Sequence, residues 1–261
     1  MRIATWNVNS IRARSEFVVA WMERNEIDVL AMQETKCRDD EFPLMSFLAS
    51  GYDVAHLGDG GFNGVAVASR IGLEEVECGF EGQPAFGAGD ATPQREARAI
   101  SAVCGGVRVW SLYVPNGRSL DDPHYRYKLA WLAALRDIGA LWLAHDPGAQ
   151  IVLAGDWNVI GTDDDVWDVT EFDRRTHVSE AERAALGAIR DAGFRDSALP
   201  YADGYTFWDY QQLRFPRDEG MRIDMLMCSP AFDDRVRNAF VDREARKPKG
   251  ASDHAPVVLE F

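Results

Sequence analysis

The stretch Arg98-Ala-Ile-Ser-Ala-Val-Cys104-Gly105-Gly106-Val107-Arg-Val-Trp-Ser-Leu-Tyr-Val114 holds two strand-like runs joined by a Gly-Gly pair. Glycines reach positive φ at little cost, so the pair suits a two-residue hairpin and the runs read as antiparallel neighbours. A doubly wound parallel sheet has no place for such a hairpin at its centre. Working outward, further strand-like runs occur at Arg2–Val8, Asp28–Gln33, Gly64–Ser69, Ile151–Ala154, Arg222–Cys228 and Pro256–Phe261. Helical spacing is clearest at Trp131, Leu135, Ile138 and Trp142. Ser179 with Glu182 three residues on is a capping-box signature for a second helix. A third is expected over Ser10–Arg24, burying Phe17, Val18, Trp21 and Met22. Hairpins with interspersed helices predict an α+β layered sandwich.

No repeat, low-complexity tract or long linker divides the 261 residues, so a single domain over 1–261 is expected. No apolar run approaches the roughly 20 residues of a membrane span, and the first residues lack the pattern of a signal peptide. Cys37, Cys78, Cys104 and Cys228 lie far apart without a CxxC pair, which reads as reduced structural thiols. A cytoplasmic enzyme fits these features. The formal charge of −14 speaks against a nucleic-acid partner only if the charges are evenly spread. They are not. Acids crowd at Glu74–Glu77 and Asp163–Asp165, while Arg12, Arg14, Arg214, Arg217 and the run Arg243–Lys249 are basic.

Polar residues recur where the strand-like runs end, the position from which loops present a site on a rigid scaffold. Asn7 ends the first, and Gln33-Glu34 ends the second. Glu34 is either a surface acid or an oxygen ligand for a hard divalent cation. In Ile151-Val-Leu-Ala-Gly-Asp156-Trp-Asn158, four apolar residues run into two polar groups that share one face, because they are two apart. Asp156 would activate a water, and Asn158 would orient that carboxylate or hold a phosphate oxygen; a structural turn would also use Gly-Asp. Asp224 interrupts an apolar strand, which is costly unless the carboxylate is paired. His254, in Ser252-Asp253-His254-Ala-Pro256, is its natural partner, and an imidazolium there would stabilise charge on a pentacovalent phosphate. Tyr113 precedes a turn with Asn116 and Arg118, and is either packed or in contact with a phosphate or leaving oxygen. In Tyr205–Tyr210, Phe207 and Trp208 read equally as core or as stacking residues, and Leu213 or Phe215 would be the wedge into a duplex.

Taken in order, Asn7, Leu30-x-x-Gln-Glu-Thr-Lys36, Tyr113-Val-Pro-Asn116, Gly155-Asp-Trp-Asn158, Arg222-Ile-Asp224 and Ser252-Asp-His-Ala-Pro256 resemble the exonuclease III family of abasic-site endonucleases, within the endonuclease/exonuclease/phosphatase superfamily. The resemblance runs from residue 2 to the final strand. It implies a deoxyribonuclease-like four-layer sandwich, two mixed sheets packed face to face and flanked by helices. It implies Mg2+, with Mn2+ as a substitute, on Glu34 with Asn7 and Asp253 nearby. Asp156 and Asn158 would handle the attacking water, His254 held by Asp224 the scissile phosphate, and Tyr113 the phosphate or leaving oxygen. Arg12, Asn116, Arg118 and Trp208 are the candidate substrate contacts. The expected partner of the expected monomer is double-stranded DNA with abasic or 3′-blocked sites, with no membrane and no obligate protein partner. The activity implied is incision 5′ to an abasic site, removal of 3′ blocking groups, and 3′ to 5′ degradation. Asn9 departs from relatives that carry an aspartate there, which weakens the case for a second metal. The stretch Gly161–His177 matches no family motif.

Three readings compete, of which a plain structural protein would leave Asp224 buried without purpose. A phosphatase or phosphodiesterase for lipids, inositol phosphates or RNA would use the same metal site; Gln-Glu-Thr-Lys and Arg-Ile-Asp favour DNA. A catalytically silent binding module would have lost an acidic or imidazole group, and every expected group is present.

Overall fold

The computed structural model describes residues 1–87 and 92–261. Strands β1 (Arg2–Asn7), β2 (Val29–Gln33), β3 (Asp53–Leu57) and β4 (Val65–Ser69) come first. They are followed by β5 (Glu74–Cys78), β6 (Ala99–Cys104), β7 (Val107–Tyr113), β8 (Ile151–Asp156), β9 (Arg195–Asp196) and β10 (Asp224–Cys228). The last two are β11 (Asn238–Val241) and β12 (Val257–Glu260). The longer helices are α1 (Ser15–Arg24), α2 (Leu44–Ala49), α3 (Pro123–His145) and α4 (Glu180–Asp191). One six-stranded sheet runs β11-β12-β1-β2-β4-β3 and the other β5-β6-β7-β8-β10-β9. Only β1–β2 and β7–β8 pair in parallel; the rest are antiparallel, so both sheets are mixed.

Period-two alternation builds the layers. Ile3, Val29, Ala31, Val109, Val152, Ala154 and Leu226 meet in the core between the sheets. The alternate residues Ala4, Trp6, Leu30 and Met32 face α1 and α2, and Trp110, Leu153, Met225 and Met227 face α3 and α4. Within the second sheet, Gly155 pairs with Leu112, and a Cβ there would lie 2.0 Å from the Leu112 carbonyl oxygen. One buried polar chain crosses between the sheets. The Thr5 hydroxyl donates to Gln33 Oε1 (3.2 Å), Gln33 Nε2 donates to Ser111 Oγ (3.0 Å), and Ser111 Oγ donates to the Met32 carbonyl (2.7 Å). Left unpaired, each buried group would cost about 1–3 kcal/mol, so the chain also sets the register of β2 against β7.

The hairpin at Gly105-Gly106 is present, with φ of +56° and +82° and Cys104 opposite Val107. Ser179 caps α4 in a capping box with Glu182. The expected helix over Ser10–Arg24 is broken: a 3-10 turn at Ile11–Ala13 precedes α1. The cause is long-range, since the Ser10 and Ile11 N–H groups are drawn to the carbonyls of Glu34 and Thr35 (2.7 and 3.0 Å). Strands β3, β5, β9 and β11 were not legible in the sequence, and they are the four edges of the two sheets. All four cysteines are free, with Cys78 alone exposed. No helix among the described residues is long and apolar enough to cross a membrane.

Candidate active site

Parallel pairing brings strand ends together. β1 and β2 finish side by side, with Asn7 opposite Gln33, and β7 and β8 finish with Tyr113 opposite Asp156. Antiparallel β10 begins at the same rim, with Asp224 opposite Asp156. Asn7, Glu34, Tyr113, Asp156 and Asp224 are therefore gathered where both sheets end, and the turn before β12 adds His254. Side-chain contacts join the two sheets at this rim. Asn7 Nδ2 donates to Glu34 Oε1 (2.7 Å) and to Asp156 Oδ2 (2.9 Å), and His254 Nδ1 lies 2.8 Å from Asp224 Oδ2. His254 Nε2 points back at Asp156 Oδ2 across 3.8 Å.

Electrostatics separate the roles of these groups. Burial lifts the Asp156 carboxyl against the pull of His254, and the neighbouring Asp224 and Glu34 add to the lift, bringing it to about 7. Burial would depress His254, but Asp224 outweighs it, with Asp156 and Asp253 assisting, and the imidazole rises to about 10. Burial also opposes the charge on Glu34; the Lys36 ammonium at 2.6 Å and the Asn7 amide nonetheless hold it below the usual carboxylate range. Burial beside Glu34 pushes the Tyr113 phenol well above its ordinary value, so it stays a proton donor. The Arg98 guanidinium, 4.8 Å above its ring, fixes it in place. Glu34, Lys36, Asn158 and His177 all have positive φ (+52°, +51°, +51° and +85°), a concentration of backbone strain typical of functional sites.

Asn158 sits differently from expectation. Its backbone N–H, not its side chain, orients Asp156, donating to Oδ1 at 3.0 Å. Its amide donates to the Val114 carbonyl (2.9 Å), and its Oδ1 accepts from Asn116 (3.1 Å) and lies 3.1 Å from His177 Nε2. Asn116 thus belongs to the site through Asn158. Asp253 lies at its margin, accepting from Asn9 Nδ2 (3.0 Å), while Asn9 Oδ1 accepts from Lys36 (2.6 Å). Arg118 is exposed, 3.9 Å from Asp122, and Arg12 is exposed and paired with Glu41 at 3.4 Å. Trp208 requires a correction. It is 1% exposed, its indole donates to Asp218 and packs on Phe215, so it supports the following loop from beneath and offers no face to a substrate. Phe215 is held in turn by Arg243 and Arg246, leaving Leu213, 71% exposed, at the tip.

Three participants escaped the sequence reading. Lys36 stood within a quoted motif but carried no sign of its pairing with Glu34. Arg98 began a strand-like run. His177 lies in the stretch that matches no motif, and nothing local marks it as a neighbour of Asn158.

The donor set suits a hard cation. Glu34 and Asp156 bring carboxylate oxygens together beside the His254 imidazole, all within 4.8 Å of one another, while the Asn7 amide oxygen accepts from the Asn9 N–H at 3.1 Å. Two carboxylates sharing one amide donor in a buried site are what an added positive charge would stabilise.

Nearby, His124 accepts the Gly117 N–H at Nδ1 (3.1 Å). Burial, with Arg98 and Arg118, lowers it from its ordinary 6.5 to about 4. A folded value below the unfolded one adds stability that is complete above pH 6.5 and lost as pH falls towards 4. His124→Asn keeps an acceptor but does not titrate. Thermal unfolding of this variant should lose less stability over that window than the parent, by up to about 1.4 kcal/mol per pH unit. Identical slopes would refute a buried neutral His124.

Residues 4–254 match the Endonuclease/Exonuclease/phosphatase family. The chain is 28% identical over 272 residues to exodeoxyribonuclease III of Haemophilus influenzae, covering 100% of both. Its fold matches that of an AP endonuclease from Archaeoglobus fulgidus with a TM-score of 0.91 and 35% identity, over 100% of this chain and 99% of that one. It also matches a 3′ phosphatase from Neisseria solved with a product DNA hairpin, with a TM-score of 0.92, 34% identity and the same coverage.

Proposed function

Because the chain belongs to the endonuclease/exonuclease/phosphatase family, in its exonuclease III and AP endonuclease branch, we propose that it is a Mg2+-dependent DNA-repair phosphodiesterase. It cuts duplex DNA 5′ to abasic sites, removes 3′ blocking groups and degrades 3′ ends. All three reactions break one bond, between phosphorus and a 3′ oxygen, so one site serves them. The observation that carries this reading is the buried Asp156 carboxylate facing the buried His254 imidazole across 3.8 Å at the rim shared by both sheets.

Asp156 takes the proton of the attacking water. Its oxygens are aimed by the Asn7 amide and the Asn158 N–H, and a carboxyl lifted to about 7 is basic enough for the task near neutral pH. His254, kept cationic by Asp224, donates from Nε2 to a phosphate oxygen as negative charge builds there. Asn158 has a second amide hydrogen free of the Val114 carbonyl for another phosphate oxygen. Tyr113, protonated and steadied by Arg98, faces the leaving 3′ oxygen. Glu34, with Asn7 and Asp253, would hold Mg2+, which supplies Lewis-acid stabilisation of the phosphate charge.

The test uses three labelled duplexes: one with a central abasic analogue, one ending in a 3′ phosphate, and one undamaged. Each is incubated with Mg2+, Mn2+ or EDTA. Metal-dependent cleavage 5′ to the analogue and release of the 3′ phosphate are expected, with slower 3′ shortening of the undamaged duplex. Release of the 3′ phosphate without internal cleavage would remove the abasic-site activity. Failure on all three in every metal would overturn the assignment.

A further inference from the structure

We infer that the Lys128–Glu182 ion pair, buried beneath the loops that carry Asn116, Asn158 and His177, is a positioning device for the phosphate-facing side of the site; the inference rests on the nuclease reading above. Both side chains are 0% exposed. A buried charged pair adds little to stability over an apolar pair of the same volume, so its retention calls for another reason. Its contacts supply one. Lys128, on the inner face of α3, donates to Glu182 and to the carbonyls of Asn116 (3.2 Å) and Asn158 (2.6 Å), and lies 3.4 Å from Thr176 Oγ1.

Three loops far apart in sequence thus converge on one ammonium. Glu182 extends the hold, since its Oε1 accepts from Thr176 Oγ1 (2.6 Å) and the His177 N–H (2.9 Å), while Oε2 accepts from Ser179. An ammonium offers three donors and no acceptor, so it can satisfy several carbonyls at once where a methionine would satisfy none. The carbonyls it holds belong to Asn116 and Asn158, the residues whose side chains meet each other and His177 at the site. Asn158 and His177 both sit at positive φ, a conformation that needs outside support. Burial pulls the Lys128 ammonium below its ordinary value, and Glu182 offsets part of that pull. The hydrogen bonds and ion pairs of Glu34, Asn7 and Asp253 run to other residues.

Lys128→Met alone would strand a buried carboxylate, so the informative variant is Lys128→Met/Glu182→Gln. It removes both charges, conserves volume and leaves an amide oxygen for Thr176 and the His177 N–H. On the DNA substrate cut by the parent, kcat should fall roughly 100-fold, the scale of a small misplacement of catalytic groups. KM and the Mn2+ concentration giving half-maximal activity should stay within about threefold. Introducing Asn158→Ala into this background should cost far less than in the parent, because the residue is already misplaced. A kcat within about threefold of the parent, or an Asn158→Ala effect that simply multiplies, would overturn the inference. Should the parent cut no DNA, the nuclease reading fails by itself. Positioning is then read from the His177 Nε2 15N shift, which must move in the double variant and would refute the inference by staying in place.

Discussion

Asp156→Asn lowers kcat on the preferred DNA substrate by roughly 10³- to 10⁴-fold while KM stays within a few fold. The replacement is isosteric and still accepts a hydrogen bond from the Asn158 N–H, while the Asn7 amide, which donates to the other oxygen, has to turn its own oxygen towards the new NH2. What disappears is the group able to take a proton from water. Stability should move the other way. Asp156 is buried near the carboxylates of Glu34 and Asp224, and neutralising it relieves that repulsion. In EDTA the variant should therefore melt no lower than the parent, an instance of activity held at the expense of stability. Steady-state kinetics with thermal unfolding in EDTA test both halves. A large rise in KM at unchanged kcat would move Asp156 from proton transfer to substrate binding.

His254→Gln is expected to lower kcat by about 10³-fold, through loss of a preorganised cation facing the phosphate. It should also destabilise the fold, because Asp224, 0% exposed on its side chain, would keep a buried charge without its partner. Breaking a buried pair by removing one member costs about 3–5 kcal/mol. The double variant His254→Gln/Asp224→Asn separates the two effects. Its melting temperature should recover, since an amide pair can hydrogen bond in place of the ion pair, while its rate should not. Recovery of the rate along with stability would mean that His254 acts only by holding the fold together.

The strands that could be read from the sequence and those that could not divide along a physical line. The eight strand-like runs correspond to β1, β2, β4, β6, β7, β8, β10 and β12, the interior strands of the two sheets. Interior strands are covered on both faces and by neighbours on both sides, so Val65–Ser69 and Ile151–Asp156 are buried at every residue and read as apolar runs. The edges carry no such signal. Every residue of β5, Glu-Glu-Val-Glu-Cys, is exposed, β9 is two residues long, and β3 and β11 are only partly buried. Charge and shortness at an edge discourage pairing with other chains, and the same traits hide the strand from a hydrophobicity pattern.

The site divides in the same way. Asn7, Glu34, Asp156, Asp224 and His254 were legible because each is a polar residue at or beside the terminus of an apolar strand, a local contrast that a sequence displays directly. The sequence by itself also determined the alternation that turns Asp156 and Asp224 inward, since that depends only on the two-residue period of a strand. Tertiary structure alone decided which surroundings each group would have. Trp208 lies under a loop through its contacts with Asp218 and Phe215, and the Asn158 side chain is oriented by Val114, Asn116 and His177. Lys128 meets Glu182 across 54 residues of chain. Contacts of that range leave no periodic trace, and the pKa of a group follows from its burial and charged neighbours, which exist only after the sheets have packed.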